Sequence, residues 1–224
     1  MPFKDRSHAG RKLASALTHY RNREPIVLAL PRGGVPVGAE VAKALVAPLD
    51  LILVRKIGVP FQPELAMGAV VDGNEPLVVR NENVIRFLGI DETTFKAVCD
   101  DELAELERRR GRYLAGRRQA EIAGHTAIVI DDGLATGATT RAALRATRRR
   151  NPKTLVLAIP VAPTDSLGEM RGEADEIVCL ESYPDFGAIG LYYSDFSPVP
   201  DQEVVELLTC FPARRDNGSS QSAA

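Results

Sequence analysis

Residues 126 to 140, Thr-Ala-Ile-Val-Ile-Asp-Asp-Gly-Leu-Ala-Thr-Gly-Ala-Thr-Thr, hold the side chains best placed to do chemistry. A run of β-branched and small apolar residues ends in two adjacent carboxylates, Asp131 and Asp132. A loop of small and hydroxyl residues follows, and then a helical pattern. This order puts the carboxylates at the carboxyl end of a buried strand, where ligands of open α/β sheets bind. It also aims the backbone N–H groups of Ala135 to Thr139 at whatever lies above the sheet edge. Adjacent carboxylates repel and call for donors or a cation nearby. Ribose 2′- and 3′-hydroxyls supply donors, and Mg²⁺ supplies charge. The turn Thr136-Gly137-Ala138-Thr139-Thr140 at a helix amino terminus suits a phosphate monoester, and Gly137 lets the backbone come close. Together they fit a sugar carrying both hydroxyls and a phosphate, such as a ribose 5-phosphate. Taken alone, Asp-Asp-Gly reads equally as a helix cap beside a solvated carboxylate; the strand–loop–helix context favours the ligand. The motif is neither a P-loop, which needs Gly-Lys-Ser/Thr, nor a Gly-x-Gly-x-x-Gly dinucleotide fingerprint.

The elements that must position these residues alternate. Residues 4 to 21 read as an amphipathic helix with Leu13, Ala16, Leu17 and Tyr20 on one face. Apolar strands are expected at 26–30 and 49–54, with a helix carrying Val37, Val41 and Leu45 between them. Pro31-Arg32-Gly33-Gly34 breaks after the first strand, and Arg55-Lys56 follows the second. Residues 58 to 64, with two prolines and a glycine, read as a loop. Residues 66–72 and 76–80 read as paired strands joined around Asp72-Gly73-Asn74. The longest helical pattern covers 91–120, with Asp91 as N-cap and an acidic first half and basic second half that complement a helix dipole. After the motif come a helix at 139–150, strands at 154–161 and 176–181 around a short helix near 165–172, an aromatic, Gly- and Pro-rich segment at 183–199, and a helix near 200–209. Strands alternating with helices predict an α/β fold, a mostly parallel central sheet flanked by helices, with a small C-terminal aromatic hood over the sheet edge. The expected division is an N-terminal helix (1–24), a core (25–182), the hood with its terminal helix (183–212) and a disordered tail (213–224).

Composition narrows the classes. The chain has 224 residues, 45% hydrophobic, with a formal net charge of −2 and a pI near 6.0. Such a balance points to neither nucleic acid nor a membrane surface. The three cysteines, Cys99, Cys179 and Cys210, are far apart and lack metal-ligand spacing. No apolar run approaches a transmembrane length, and the start of the chain lacks the apolar stretch of a signal peptide. The expectation is a soluble cytoplasmic protein.

Ile130-Asp131-Asp132-Gly133-Leu134-Ala135-Thr136-Gly137-Ala138-Thr139-Thr140 resembles the phosphoribosyl pyrophosphate (PRPP) motif of type I phosphoribosyltransferases, and the resemblance runs over most of residues 25 to 200. It implies that Asp131 and Asp132 bind the ribose hydroxyls and that Gly133 and Ala135, Thr136, Gly137, Ala138 and Thr139 belong to the PRPP site, the loop holding the 5-phosphate. It implies that Arg32, Gly33 and Gly34, in a loop that in the family often holds a non-proline cis peptide, bind pyrophosphate together with Arg55 and Lys56. Arg32, a planar fork of donors, and Lys56 would act catalytically on the leaving group. Residues 57–68 take the place of the family's mobile catalytic loop, with Glu64 read as a surface residue. In the hood, Phe186 and then Tyr192 are the expected stacking partners of the acceptor, and Asp195 joins Asp131 and Asp132 as a metal contact. The implied activity is Mg²⁺-dependent transfer of 5-phosphoribosyl from PRPP to a nucleobase or related nitrogen acceptor, with release of pyrophosphate and small molecules as the only partners; a homodimer is left open. A non-catalytic PRPP- or nucleotide-sensing regulator on the same fold is the alternative. One departure concerns the acceptor. Hypoxanthine-guanine enzymes carry Asp where this chain has Ala135, whereas adenine, uracil and orotate enzymes have a small residue there.

Overall fold

A computed structural model describes residues 2–73 and 76–211. Asn74 of the expected turn and the 213–224 tail lie outside the described residues. The elements are α1 (Arg6–Ala16), β1 (Pro25–Ala29), α2 (Gly34–Leu45), β2 (Leu49–Leu51), β3 (Val54–Val59), β4 (Gln62–Val71), β5 (Leu77–Arg80), α3 (Glu82–Leu88), α4 (Glu92–Leu114), β6 (Thr126–Ile130), α5 (Ala138–Arg149), β7 (Thr154–Pro163), α6 (Thr164–Met170), β8 (Glu176–Tyr183) and α7 (Asp201–Thr209).

Five strands form a parallel sheet in the order β2-β1-β6-β7-β8. Every residue of β1 and β6 is buried, as expected for a sheet covered on both faces, and this is why these strands read as unbroken apolar runs. Alternate residues serve opposite faces. Val27, Ala29, Ile128, Ile130 and Val156 pack with residues of α1, α2, α4 and α7. Ile26, Leu28, Ala127, Val129 and Leu157 pack with residues of α5 and α6. The chain is therefore an α/β fold with a mostly parallel central sheet flanked by helices.

Three sequence expectations change. The segment 58–64, read as a loop, lies in a hairpin: β3 and β4 pair antiparallel, only Pro60 and Phe61 separate them, and β5 extends the pair to a three-stranded sheet. Residues 57–68 are thus mostly strand. Ile57, Val59, Met67 and Val70 bury one face of this ribbon, which outweighs the local Pro and Gly signals. Those residues sit where a strand tolerates them: the register shifts around Gly58, and a Cβ there would lie 2.8 Å from Pro63 O. The second apolar run divides into β2 and the start of β3. The long helix stops at Leu114 rather than 120, with Gly116 at φ +72 just beyond. Asp91 does cap it, accepting from Thr94 N at 2.7 Å. The helix α3 is added by Asn81, whose side chain accepts from Val84 N, and ends at Gly89, φ +63.

Candidate active site

The loops that follow β1 and β6 meet at the carboxyl edge of the sheet. Leu30 N donates to Ile130 O at 2.9 Å, so the two loops leave the sheet side by side. The Pro31–Arg32 peptide is cis. Gly33 then backs directly onto Asp132: a Cβ at position 33 would overlap the Asp132 carboxylate, and one at position 34 would lie 2.7 Å from Ile130 O. The pair Gly33-Gly34 is therefore required by close approach of the two loops as well as by any ligand above them.

Asp131 and Asp132 differ in surroundings. Asp132 N donates to Asp131 Oδ1 at 2.9 Å. Burial, and then the neighbouring Asp132 charge, push the Asp131 carboxyl well above the usual carboxylate range. Asp132 is buried, and its Oδ2 accepts from Arg6 Nε at 2.7 Å. Its main-chain carbonyl accepts from the Tyr193 hydroxyl at 2.6 Å. Burial pushes that hydroxyl up, so it stays a donor. Tyr193→Phe leaves the buried carbonyl without its partner. We expect a stability loss of about 1–3 kcal/mol in urea denaturation; a change under about 0.5 kcal/mol would refute this anchoring role.

The loop after the carboxylates is built as a cradle. Leu134 is buried, and its N donates to Val161 O at 2.9 Å. Gly137, φ +73, turns the chain into α5. Ala135, Thr136, Ala138 and Thr139 are exposed. Within the described residues the N–H groups of Ala135, Thr136 and Gly137 have no protein acceptor, and a helix's first turn adds further free donors. Ala135 O is taken by Ser166 Oγ at 2.8 Å.

The expected diphosphate side chains separate. Arg32 is half-exposed, 3.6 Å from Asp201, which also accepts from Arg112 and Tyr113. Arg55 and Lys56, adjacent on β3, point to opposite faces of the ribbon. Arg55 is bound to Glu102 of α4 at 2.7 Å. Lys56 reaches only the exposed Glu64, at 3.4 Å, and stays available.

The hood also sorts its candidates. Tyr192 stacks on Tyr183 (4.7 Å between centroids) and on Phe186 (4.8 Å). These packed neighbours occupy the ring of Tyr192 and leave Tyr183 and Phe186 as the end members of the stack. Asp195 accepts from Ser197 N and Oγ at 2.9 and 2.6 Å. Among the described residues no three His, Cys, Asp or Glu side chains gather into a metal-holding group. Ile189 covers Gly133, where a Cβ would lie 2.7 Å from Ile189 Cγ2. A cleft of about 310 Å³, lined by Ala69, Val79, Asn81, Ala138, Arg141 and Arg145, lies beside the site and meets it only at Ala138.

Two parts of the site carry no signal in the motif. Arg6 lies 126 positions from Asp132, and Tyr193 lies in the hood segment, where the resemblance singles out Phe186 and Tyr192 instead.

The family model of the phosphoribosyl transferase domain matches residues 5 to 196, which spans both glycine-lined loops, the carboxylates and the aromatic part of the hood. The chain belongs to this family. This phosphoribosyl transferase domain is 46% identical over 206 residues to a protein of Mycobacterium tuberculosis H37Rv named Putative phosphoribosyl transferase, and the same holds for its counterpart in strain CDC 1551. The match covers 92% of this chain and 46% of each relative, so the chain spans about half the length of the curated relatives it matches. The crystal structure of TT1426 from Thermus thermophilus is 39% identical and superimposes with a TM-score of 0.82, covering 95% of this domain and all of that chain. No helix among the described residues is long and apolar enough to cross a membrane.

Proposed function

We propose that this phosphoribosyl transferase domain moves the 5-phosphoribosyl group of PRPP to a nitrogen acceptor and releases pyrophosphate. The observation that carries the reading is the convergence of Asp131 and Asp132 with the unpaired N–H groups of Ala135 to Gly137 at one sheet edge. Those N–H groups, with the Thr136 and Thr139 hydroxyls and Ala138 at the helix start, hold the 5-phosphate. Asp131 and Asp132 accept from the ribose hydroxyls. Gly33 and Gly34 present backbone to the diphosphate, while Arg32 and Lys56 balance the charge that grows on it as the C1–O bond breaks. The acceptor nitrogen forms the new bond to C1 and gives its proton to solvent. Phe186 stacks on the acceptor ring.

The two carboxylates suit Mg²⁺, and the raised proton affinity of Asp131 marks it as the group that a cation would relieve. Mg²⁺, carried in with the donor, would screen the diphosphate. Ala135 offers the acceptor no carboxylate, which argues against a 6-oxopurine and for adenine, a pyrimidine or another small nitrogen ring.

Pyrophosphate release from PRPP and Mg²⁺ with a panel of such acceptors tests the reading. Turnover is expected with at least one of them. Tight PRPP binding with no turnover on any acceptor would overturn the transferase assignment in favour of a PRPP-sensing role.

A further inference from the structure

The carboxylate Asp132 has a fixed cation on it, and that cation comes from the far end of the chain. Arg6 is the first residue of α1, and Asp5 caps that helix by accepting from His8 N at 2.6 Å. The residues just before it are bonded into the hood: Phe3 N to Tyr192 O at 3.2 Å, Ser194 N to Phe3 O at 2.9 Å, and Asp195 N to Lys4 O at 2.8 Å. Phe3 is buried against Tyr193, with ring centroids 5.3 Å apart. The guanidinium is thus launched from a segment fixed on both sides. It bonds Asp132 Oδ2 and Ser197 O (2.8 Å), and lies 3.9 Å over the Phe196 ring. Its side chain is only 11% exposed. Such a group is part of the build of the site, unlike a surface ion pair that salt would screen.

We infer that Arg6 is a positioning residue of the donor site, holding Asp132 as a charge-balanced anion so that a polyanionic sugar phosphate can settle over two adjacent carboxylates. The inference rests on the PRPP reading above. PRPP carries charge on its phosphate and its diphosphate, and two unbalanced carboxylates beneath the ribose would repel it. Arg6 cancels one of them. It bonds Oδ2, and the Asp131 carboxyl is the other side chain hydrogen-bonded to the Asp132 carboxylate. The other groups around the pair are Asp131 just after β6, the Tyr193 hydroxyl and Asp195 from the hood, and the Gly33 backbone just before α2. None of these is a cation, and among the described residues Arg6 is the one cation paired with Asp132. The same contact ties the amino-terminal segment to ligand binding and makes it functionally part of the hood.

A double-mutant cycle read on PRPP affinity tests this. Titration calorimetry with PRPP and Mg²⁺ would compare the unaltered protein with Arg6→Gln, Arg6→Lys, Asp132→Asn and the Arg6→Gln/Asp132→Asn pair, with thermal melts confirming the fold. Arg6→Gln is expected to weaken PRPP at least tenfold. The double variant should bind within about threefold of the weaker single, because removing both partners leaves no stranded charge. Arg6→Lys should fall between the unaltered protein and Arg6→Gln, and it carries the test if Arg6→Gln fails to fold. Unchanged or tighter binding by Arg6→Gln, additive losses in the double variant, or Arg6→Lys binding no better than Arg6→Gln would overturn the inference. Failure of the unaltered protein to bind PRPP would instead remove the donor-site reading itself, and this inference with it.

Discussion

Gly33→Ala is expected to destabilise the protein by about 3 kcal/mol or more and to abolish PRPP binding. The added methyl would occupy the space of the Asp132 carboxylate. An overpacked site normally relaxes by side-chain movement and loses about 1–3 kcal/mol. Here that movement is blocked, because Arg6 Nε holds Asp132 Oδ2 at 2.7 Å and both side chains are nearly buried. Displacing the carboxylate would strand a buried arginine, which typically costs about 3–5 kcal/mol. Urea denaturation gives the stability change and calorimetry the affinity. Two controls isolate the cause. In an Asp132→Ala background the same Gly33→Ala change should cost under about 1 kcal/mol, a coupling expected only of residues in contact. Gly168→Ala, in α6 with nothing within 4 Å of the added atom, should stabilise by about 0.5–1 kcal/mol. A Gly33→Ala protein of ordinary stability and PRPP affinity would show that the loops can part, and would refute the close-packed junction.

This junction also shows what the sequence makes legible. The Asp-Asp-Gly motif and its strand can be read because the information is local: β6 is buried on both faces, so every residue from Thr126 to Ile130 is apolar or small, and the polarity changes abruptly at Asp131. The Gly33-Gly34 pair reads as a turn, but the reason for glycine at 33 is a carboxylate 99 positions later, which no local pattern contains. The β3–β4 hairpin was hidden for the converse reason. Gly58, Pro60 and Pro63 are strong local loop signals, and they are outweighed by burial of Ile57, Val59, Met67 and Val70. In the hood, the resemblance ranks Phe186 and then Tyr192 as stacking partners and gives Tyr193 no role. Packing places Tyr192 between ring neighbours and Tyr193 beneath, bonded to the motif. Arg6 was beyond reach altogether. One arginine among many near the start of a chain has no neighbour in sequence to mark it, and only the folded chain brings it to Asp132.

Asp131→Asn is expected to move stability and function in opposite directions. The native carboxyl is held above its usual range by burial and by Asp132, so the folded state keeps a proton that the unfolded chain releases. As pH rises from the ordinary carboxylate range, near 4, to the raised folded value, the folded state therefore loses stability relative to the unfolded one. Above that value the full penalty remains. Asparagine retains an oxygen for the Asp132 N–H bond and has nothing to ionise. The variant should be more stable than the native protein at neutral pH, by about 0.5–2 kcal/mol on the scale of single stabilising changes, and the difference should vanish at pH values below about 4. PRPP affinity should fall by about 1.5–3 kcal/mol, roughly 10- to 150-fold, because a charged acceptor for a ribose hydroxyl is lost. Melting curves across pH and calorimetry with PRPP and Mg²⁺ measure both. A variant that loses stability along with binding would make Asp131 a structural residue whose removal disturbs the site indirectly. One that gains stability while losing the ligand would identify a charge kept against the interest of the fold, the mark of a group retained for what it binds.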